Sequence, residues 1–328
     1  MSWMKFAPTI LLVTLTGAIA RGDFLTPYES EEKHDVCKTM CDCYSDVDKY
    51  VLECPKESST IRVSYPFYKV PVKYVDISCI VADEEYRSLP NITIEDVSVA
   101  KISSCELPRS ASIMTVLNRL GVRNIHTLFI NNARQEFRNK LIKQHLSGFD
   151  NLTRLVIGSS HITQISDDLF DDVTSIKWLS LKINKIQSIE NAFAKLPNLE
   201  FLELGENDLH TIEEGTFRNN SHLKVLNLWT NKLKNLTKDV FIGVESLHTL
   251  DLSYNQIETF DPDVFDLLPN LGVIHLNKNN FRELPEGLLK NNRKLSEFTL
   301  LYNQGSLKDL PSGFFANLTE LFSVDIRS

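Results

Sequence analysis

Residues 223–244 read LKVLNLWTNKLKNLTKDVFIGV. Leu223, Leu226 and Leu228 fall at spacings of three and two, and Asn231 follows three residues later. The pattern L-x-x-L-x-L-x-x-N recurs upstream at Leu152, Leu155 and Ile157, with Ser160 in the asparagine slot. It recurs at Ile176, Leu179, Leu181, Asn184 and at Leu199, Leu202, Leu204, Asn207. Downstream come Leu247, Leu250, Leu252, Asn255, then Leu271, Ile274, Leu276, Asn279, then Leu295, Phe298, Leu300, Asn303. The slot residues step by 24 throughout, except for 23 between Asn184 and Asn207. Two weaker copies precede these: Ile125, Leu128, Ile130 with Ala133 in the slot, and Val97, Ala100, Ile102 with Cys105 there.

The rest of each unit repeats as well. An apolar pair follows the slot, as in Ile186/Ile189 and Leu233/Leu236, and then a phenylalanine. That series runs Phe170, Phe193, Phe217, Phe241, Phe265, then Leu289, then Phe315. A unit of this length cannot bury its own apolar side, so neighbours must stack and share a core. The predicted fold is a leucine-rich-repeat solenoid, an α/β horseshoe with a parallel sheet on its concave side. The L-x-L alternation makes a short strand with leucines inward and x residues outward. The slot asparagine can donate to and accept from backbone groups where the strand ends. The phenylalanines fill the convex side. Leucines, asparagines and phenylalanines of the pattern are core, not ligand residues.

The ends read differently. Lys5, the apolar run of residues 6–20 and the small-x-small ending Ala18-Ile19-Ala20 make residues 1–20 a secretory signal peptide. The alternative, an uncleaved signal anchor, fits poorly with so short a run carrying Pro8. Residues 21–34 are an N-terminal extension. The six cysteines, Cys37, Cys41, Cys43, Cys54, Cys79 and Cys105, all lie in one third of the chain. In a secreted chain an even count reads as a disulfide framework, with 15 connectivities open. Cys41 and Cys43 flank one residue and should bridge outward. A zinc site is the weaker alternative, since no second knuckle matches; no metal or cofactor is expected. Residues 35–96 are then a cysteine-rich cap shielding the first repeat and tied to it through Cys105. Repeats fill 97–328. Leu321, Val324 and Ile326 begin another unit that breaks off at Ser328, which predicts a piece of a longer protein.

Composition bounds the function. Hydrophobic residues at 42% and charged residues at 24% exclude a disordered chain, and a net charge of −8 argues against nucleic-acid binding. No metalloprotease, nucleophile-elbow, P-loop or dinucleotide motif is present, so an enzyme is not expected. The remaining catalytic candidates are His248 and His275, on neighbouring strands. The concave x positions are the default binding surface of such an array. There Trp178, Phe201, Trp229, Tyr254 and Tyr302 are predicted to be exposed. Arg154, Lys177 and Lys182 form a basic band beside Glu200, Glu203 and Glu206, which can equally be cross-strand ion pairs. Glycan acceptors N-x-S/T occur at Asn91, Asn151, Asn219, Asn235 and Asn317, all off the concave positions.

Residues 223–244 also resemble a repeat of the insect Toll receptors. So does FRELPEGLLKNNRKLSEFTLLYNQGSLKDLPSGFFANLTEL, residues 281–321, with its insertion before Leu307. The cysteine order, with Cys105 followed by Glu106-Leu107-Pro108, is similar to the Toll cap. The resemblance covers about residues 35–328. It implies an extracellular receptor portion for a Spätzle-like cystine-knot dimer, in immune or developmental signalling, with dimerisation of the receptor as a further expectation. It places ligand contacts on the cap and early concave face, here Arg154, Lys177, Trp178, Phe201, Trp229 and Tyr254. Family members continue into a C-terminal cysteine cap, a transmembrane helix and a cytoplasmic signalling domain, none of which is in this sequence. The chain would therefore bind without signalling: secreted as given, at the cell surface in a longer parent. The alternative is a secreted leucine-rich protein with an adhesive, structural or soluble immune-cofactor role.

Overall fold

A computed structural model describes residues 39–327, apart from 47–48, 55–60, 67–72, 80–85, 87–88, 109–110, 134–139 and 304–308. The signal peptide, the extension, Cys37 and the insertion at Gln304–Ser306 therefore lie outside the described residues.

One sheet runs the length of the molecule. It has 14 strands and changes character once. Strands β1 (Asp42–Asp46), β2 (Lys49–Cys54), β3 (Ile61–Pro66) and β4 (Lys73–Cys79) form an antiparallel meander. Strand β4 then pairs parallel with β5 (Val97–Ser103), and every later pairing in this sheet is parallel. The register confirms the repeat: Leu179, Leu202, Leu226, Leu250, Ile274 and Phe298 are direct partners across successive strands. All six are fully buried.

The slot residues behave as their chemistry requires. The Asn231 side-chain amide donates to Leu204 O and Leu228 O, at 3.0 and 3.1 Å, and its oxygen accepts from Leu209 N at 3.0 Å. Asn184, Asn207, Asn255, Asn279 and Asn303 repeat the donor pattern. One residue before each slot the chain is left-handed, with φ of 51–57° at Asn132, Ser159, Ile183, Glu206, Thr230, Tyr254, Lys278 and Tyr302. This turns the backbone out of the strand while its N–H still reaches the next unit, as in Thr230 N to Ser253 O at 2.9 Å.

Curvature follows from unequal spacing on the two sides. Strands lie ~4.8 Å apart. The convex rings of Phe170/Phe193, Phe193/Phe217 and Phe241/Phe265 are 6.1–6.4 Å apart. A wider outer row bends the stack around its sheet. A second buried ladder on the phenylalanine side was not visible in the sequence pattern. Asn220 donates to Phe193 O and Leu196 O, and Asn292 donates to Phe265 O and Leu268 O.

The cap is joined covalently. Cys41 pairs with Cys54 and Cys79 with Cys105, which fastens β4 to the slot of the first repeat. Cys43 is also disulfide-bonded. Cys41 and Cys43 thus bridge outward, as expected of two cysteines too close to join each other.

Candidate functional site

The early units bring four outward side chains into one row. Arg154, Trp178 and Phe201 are register partners across three parallel strands, Arg154–Gly158, Trp178–Ser180 and Phe201–Glu203. At this spacing flat side chains on one face must touch. Trp178 and Phe201 stack, with ring centroids 3.6 Å apart and an interplanar angle of 12°. The Arg154 guanidinium lies 4.5 Å from the Trp178 ring centroid and 5.7 Å from that of Phe129 on the preceding strand. A guanidinium between two ring faces is held in place and keeps its charge. Phe129 stands at an x position, between Leu128 and Ile130, and the sequence reading overlooked it because that unit has Ala133 in place of the marker asparagine. Trp178 is 36% exposed, at the open edge of the row.

Beside this row, lysines and glutamates of the two bands form ion pairs. Glu200 lies 2.7 Å from Lys224 and 3.7 Å from Lys177, and Lys182 lies 3.5 Å from Glu203. The hydrogen bond from Lys224 holds the Glu200 carboxyl below its usual range. Ser180, at an x position, is buried, and its hydroxyl donates to Glu203 at 2.8 Å.

One expectation needs correction. Trp229 and Phe201 are half-buried rather than exposed. Trp229 folds onto the neighbouring unit at Gly205, where a Cβ would come within 2.2 Å of the indole nitrogen. Only a residue without a side chain leaves that space, and Gly205 supplies it. Tyr254 is exposed, as expected, with a left-handed backbone one residue before Asn255, two units beyond Phe201. Among the described residues its ring contact is with Lys278.

The two histidines have different surroundings. His248 packs over Gly272, within 2.4 Å of where a Cβ would stand. His275 lies between two carboxylates from flanking strands, 3.8 Å from Asp251 and 3.2 Å from Glu297. Its pKa is raised, first by the neighbouring Asp251 carboxylate and also by Glu297. Burial alone would lift Asp251, but the nearby His275 ring and the hydrogen bond from Ser253 N carry it below the usual range. Among the described residues no group of three or more His, Cys, Asp or Glu side chains is placed to hold a metal ion.

The five glycan-acceptor asparagines are all exposed. Two use their amides internally: Asn151 donates to Asn124 Oδ1 at 3.0 Å and Asn219 to Ala194 O at 3.1 Å.

Known proteins agree with this architecture. The family model described as leucine rich repeat matches residues 150–209, 202–257 and 221–281. The chain is 32% identical to a chain in the structure of the Drosophila Toll–Spätzle complex, a hub in development and innate immunity, with a TM-score of 0.78. That match covers 90% of this chain and 39% of the other. The glycosylated form of the complex matches at 33% identity and a TM-score of 0.77, over 90% of this chain and 39% of that one. A chain of the TLR13–ssRNA13 complex shares the fold, at 24% identity and a TM-score of 0.55, over 70% of this chain and 36% of that one. No curated protein matches the sequence. The chain thus spans 39% of the length of the Toll-complex chains it resembles.

Proposed function

We propose that this chain, a Toll-like leucine-rich-repeat ectodomain by fold and by 32% identity over most of its length, binds a protein ligand on its early concave face. The ligand is a Spätzle-like cystine-knot dimer. The reading is supported by the row Phe129, Arg154, Trp178 and Phe201, a rigid aromatic and guanidinium surface open to solvent at Trp178. Aromatic and arginine side chains held without their own flexibility are what interface hot spots use. The role is binding, not catalysis, since His275 is committed to carboxylates and His248 to packing.

The setting is extracellular. Disulfides at Cys41–Cys54 and Cys79–Cys105 suit an oxidising compartment. No helix among the described residues is long and apolar enough to cross a membrane. A surface location would belong to a longer parent. Glycans on Asn91, Asn151, Asn219, Asn235 and Asn317 would leave the concave row bare, and a mass shift after glycosidase treatment checks their presence.

The test is a titration of a purified Spätzle-like dimer against the chain and against Trp178→Ala and Arg154→Ala. Each truncation should weaken binding by ~2 kcal/mol or more, about thirtyfold. Equal affinities for all three would reject the concave row. No binding to any of them would favour an adhesive or cofactor role.

A further inference from the structure

The later units carry a second row of side chains. Tyr254, Lys278 and Tyr302 hold the same place, one residue before the slot asparagine, in three consecutive repeats. All three are left-handed, with φ of 57°, 52° and 54°. Their amides are anchored in series: Tyr254 N to Asn277 O at 2.7 Å, Lys278 N to Leu301 O at 2.7 Å, Tyr302 N to Arg327 O at 3.0 Å. The main chain sets the row out in advance of any ligand. The Lys278 ammonium lies 5.3 Å from the Tyr254 ring centroid and 5.4 Å from that of Tyr302. The two rings are 50% and 58% exposed.

The charge of Lys278 has no local answer. On the strands leading into the row, Thr249–Asp251, Val273–His275 and Glu297–Thr299, the carboxylates are Asp251 and Glu297. Both are engaged by His275. The concave lysines of earlier units differ, since Lys177, Lys182 and Lys224 each lie beside a glutamate. Among the described residues no carboxylate pairs with Lys278 and neither tyrosine hydroxyl has a hydrogen-bond partner. The row therefore presents phenol, ammonium and phenol in line. The ammonium can only donate, so its complement is an anion that only accepts. The row is open rather than walled, so a small free anion would stay hydrated there. A partner that also covers the rings gains apolar area at both ends.

We propose that Tyr254, Lys278 and Tyr302 form a docking surface for an acidic segment of a partner protein, with an Asp or Glu carboxylate on Lys278 and the neighbouring residues against the two rings. This surface is distinct from the Trp178 row and does not rest on the cytokine reading. Tyrosines flanking a charge match the composition of protein interfaces.

Biolayer interferometry on densely coated peptide surfaces tests it. The probes are capped Gly-Leu-Glu-Leu-Gly, its Gln and Lys counterparts, and a sulfated oligosaccharide. The chain should be retained by the Glu surface over the Gln surface, and less so as salt rises. Lys278→Met and Tyr254→Ala/Tyr302→Ala should abolish that preference, Lys278→Arg should keep it, and Lys278→Glu should transfer it to the Lys surface. Lys195→Glu, a change at an exposed lysine elsewhere, should have no effect. Equal retention on Glu and Gln surfaces would overturn the proposal. So would an equal effect of Lys195→Glu and Lys278→Glu, or retention by the oligosaccharide alone. The Met, Arg and Glu variants alter one exposed side chain, so their melting temperatures should match the parent and keep the comparison readable.

Discussion

Cys105 and Asn231 occupy the same place in their repeat units, yet they close it with different bonds. Cys105 is joined to Cys79 on the antiparallel cap. Asn231 bridges two parallel units through three hydrogen bonds of 3.0–3.1 Å. Between them the slot changes step by step. Ala133 offers no side-chain polar atom. Ser160 accepts from Ala133 N at 3.1 Å and donates to Gly158 O at 2.8 Å. From Asn184 on the full amide pattern runs to Asn303. An amide can bridge only to a neighbour of the same kind, because its acceptors are the carbonyls of the equivalent strand end. At the first repeat the neighbour is β4 of the cap, which runs parallel to β5, and there a disulfide takes the place of the amide.

This contrast can be broken from either end. The largest effect is expected from the core both regions share. Leu226→Ala should destabilise the chain by ~2–5 kcal/mol in denaturant melts. Cys79→Ser with Cys105→Ser should cost about 2–4 kcal/mol, and limited proteolysis should show the cap opening before the repeats do. Asn231→Ala leaves buried backbone groups unpaired and should cost ~1–3 kcal/mol. Ser160→Ala should cost less, roughly 1 kcal/mol, because fewer bonds are lost. Equal melting temperatures for Asn231→Ala and the parent would remove the ladder from the account.

The pH dependence has opposite signs at its two ends. His145, in the short helix Lys143–Leu146, is buried, and burial lowers its pKa from 6.5 to about 4. The unfolded chain therefore takes up a proton that the folded chain refuses, and stability falls as pH drops from about 6.5 towards 4. His145→Phe should flatten that acid arm. His275 has a raised pKa, so its contribution is complete below the unfolded value near 6.5 and is lost as pH climbs through the folded one. His275→Gln should flatten the alkaline arm and leave the acid arm of His145 in place. Melts across pH 4–9 separate the two.

The candidate site was legible only in part. Arg154, Lys177, Trp178 and Phe201 could be placed on the outward face by counting from the leucines, and they lie there. Trp229 obeys the same count but is half-buried, because Gly205 lies beneath it. Tyr254 is exposed as the count predicts, and its ring meets Lys278 rather than the Trp178 row. At the position before the slot asparagine a left-handed residue breaks the alternation on which the count depends.

The chain's own residue order determined the repeat, the inward leucines and the asparagine slot. These depend on spacing within one unit, and spacing along a chain is local information. Only the tertiary structure decided the pairing of Cys79 with Cys105, the row of Phe129 to Phe201, the bend set by the phenylalanine spacing, and which aromatic stays open to solvent. Each depends on what the adjacent unit presents at the same height. Whether an outward tryptophan meets a ring face, a bare glycine or water is a property of the stack, not of the unit that carries it.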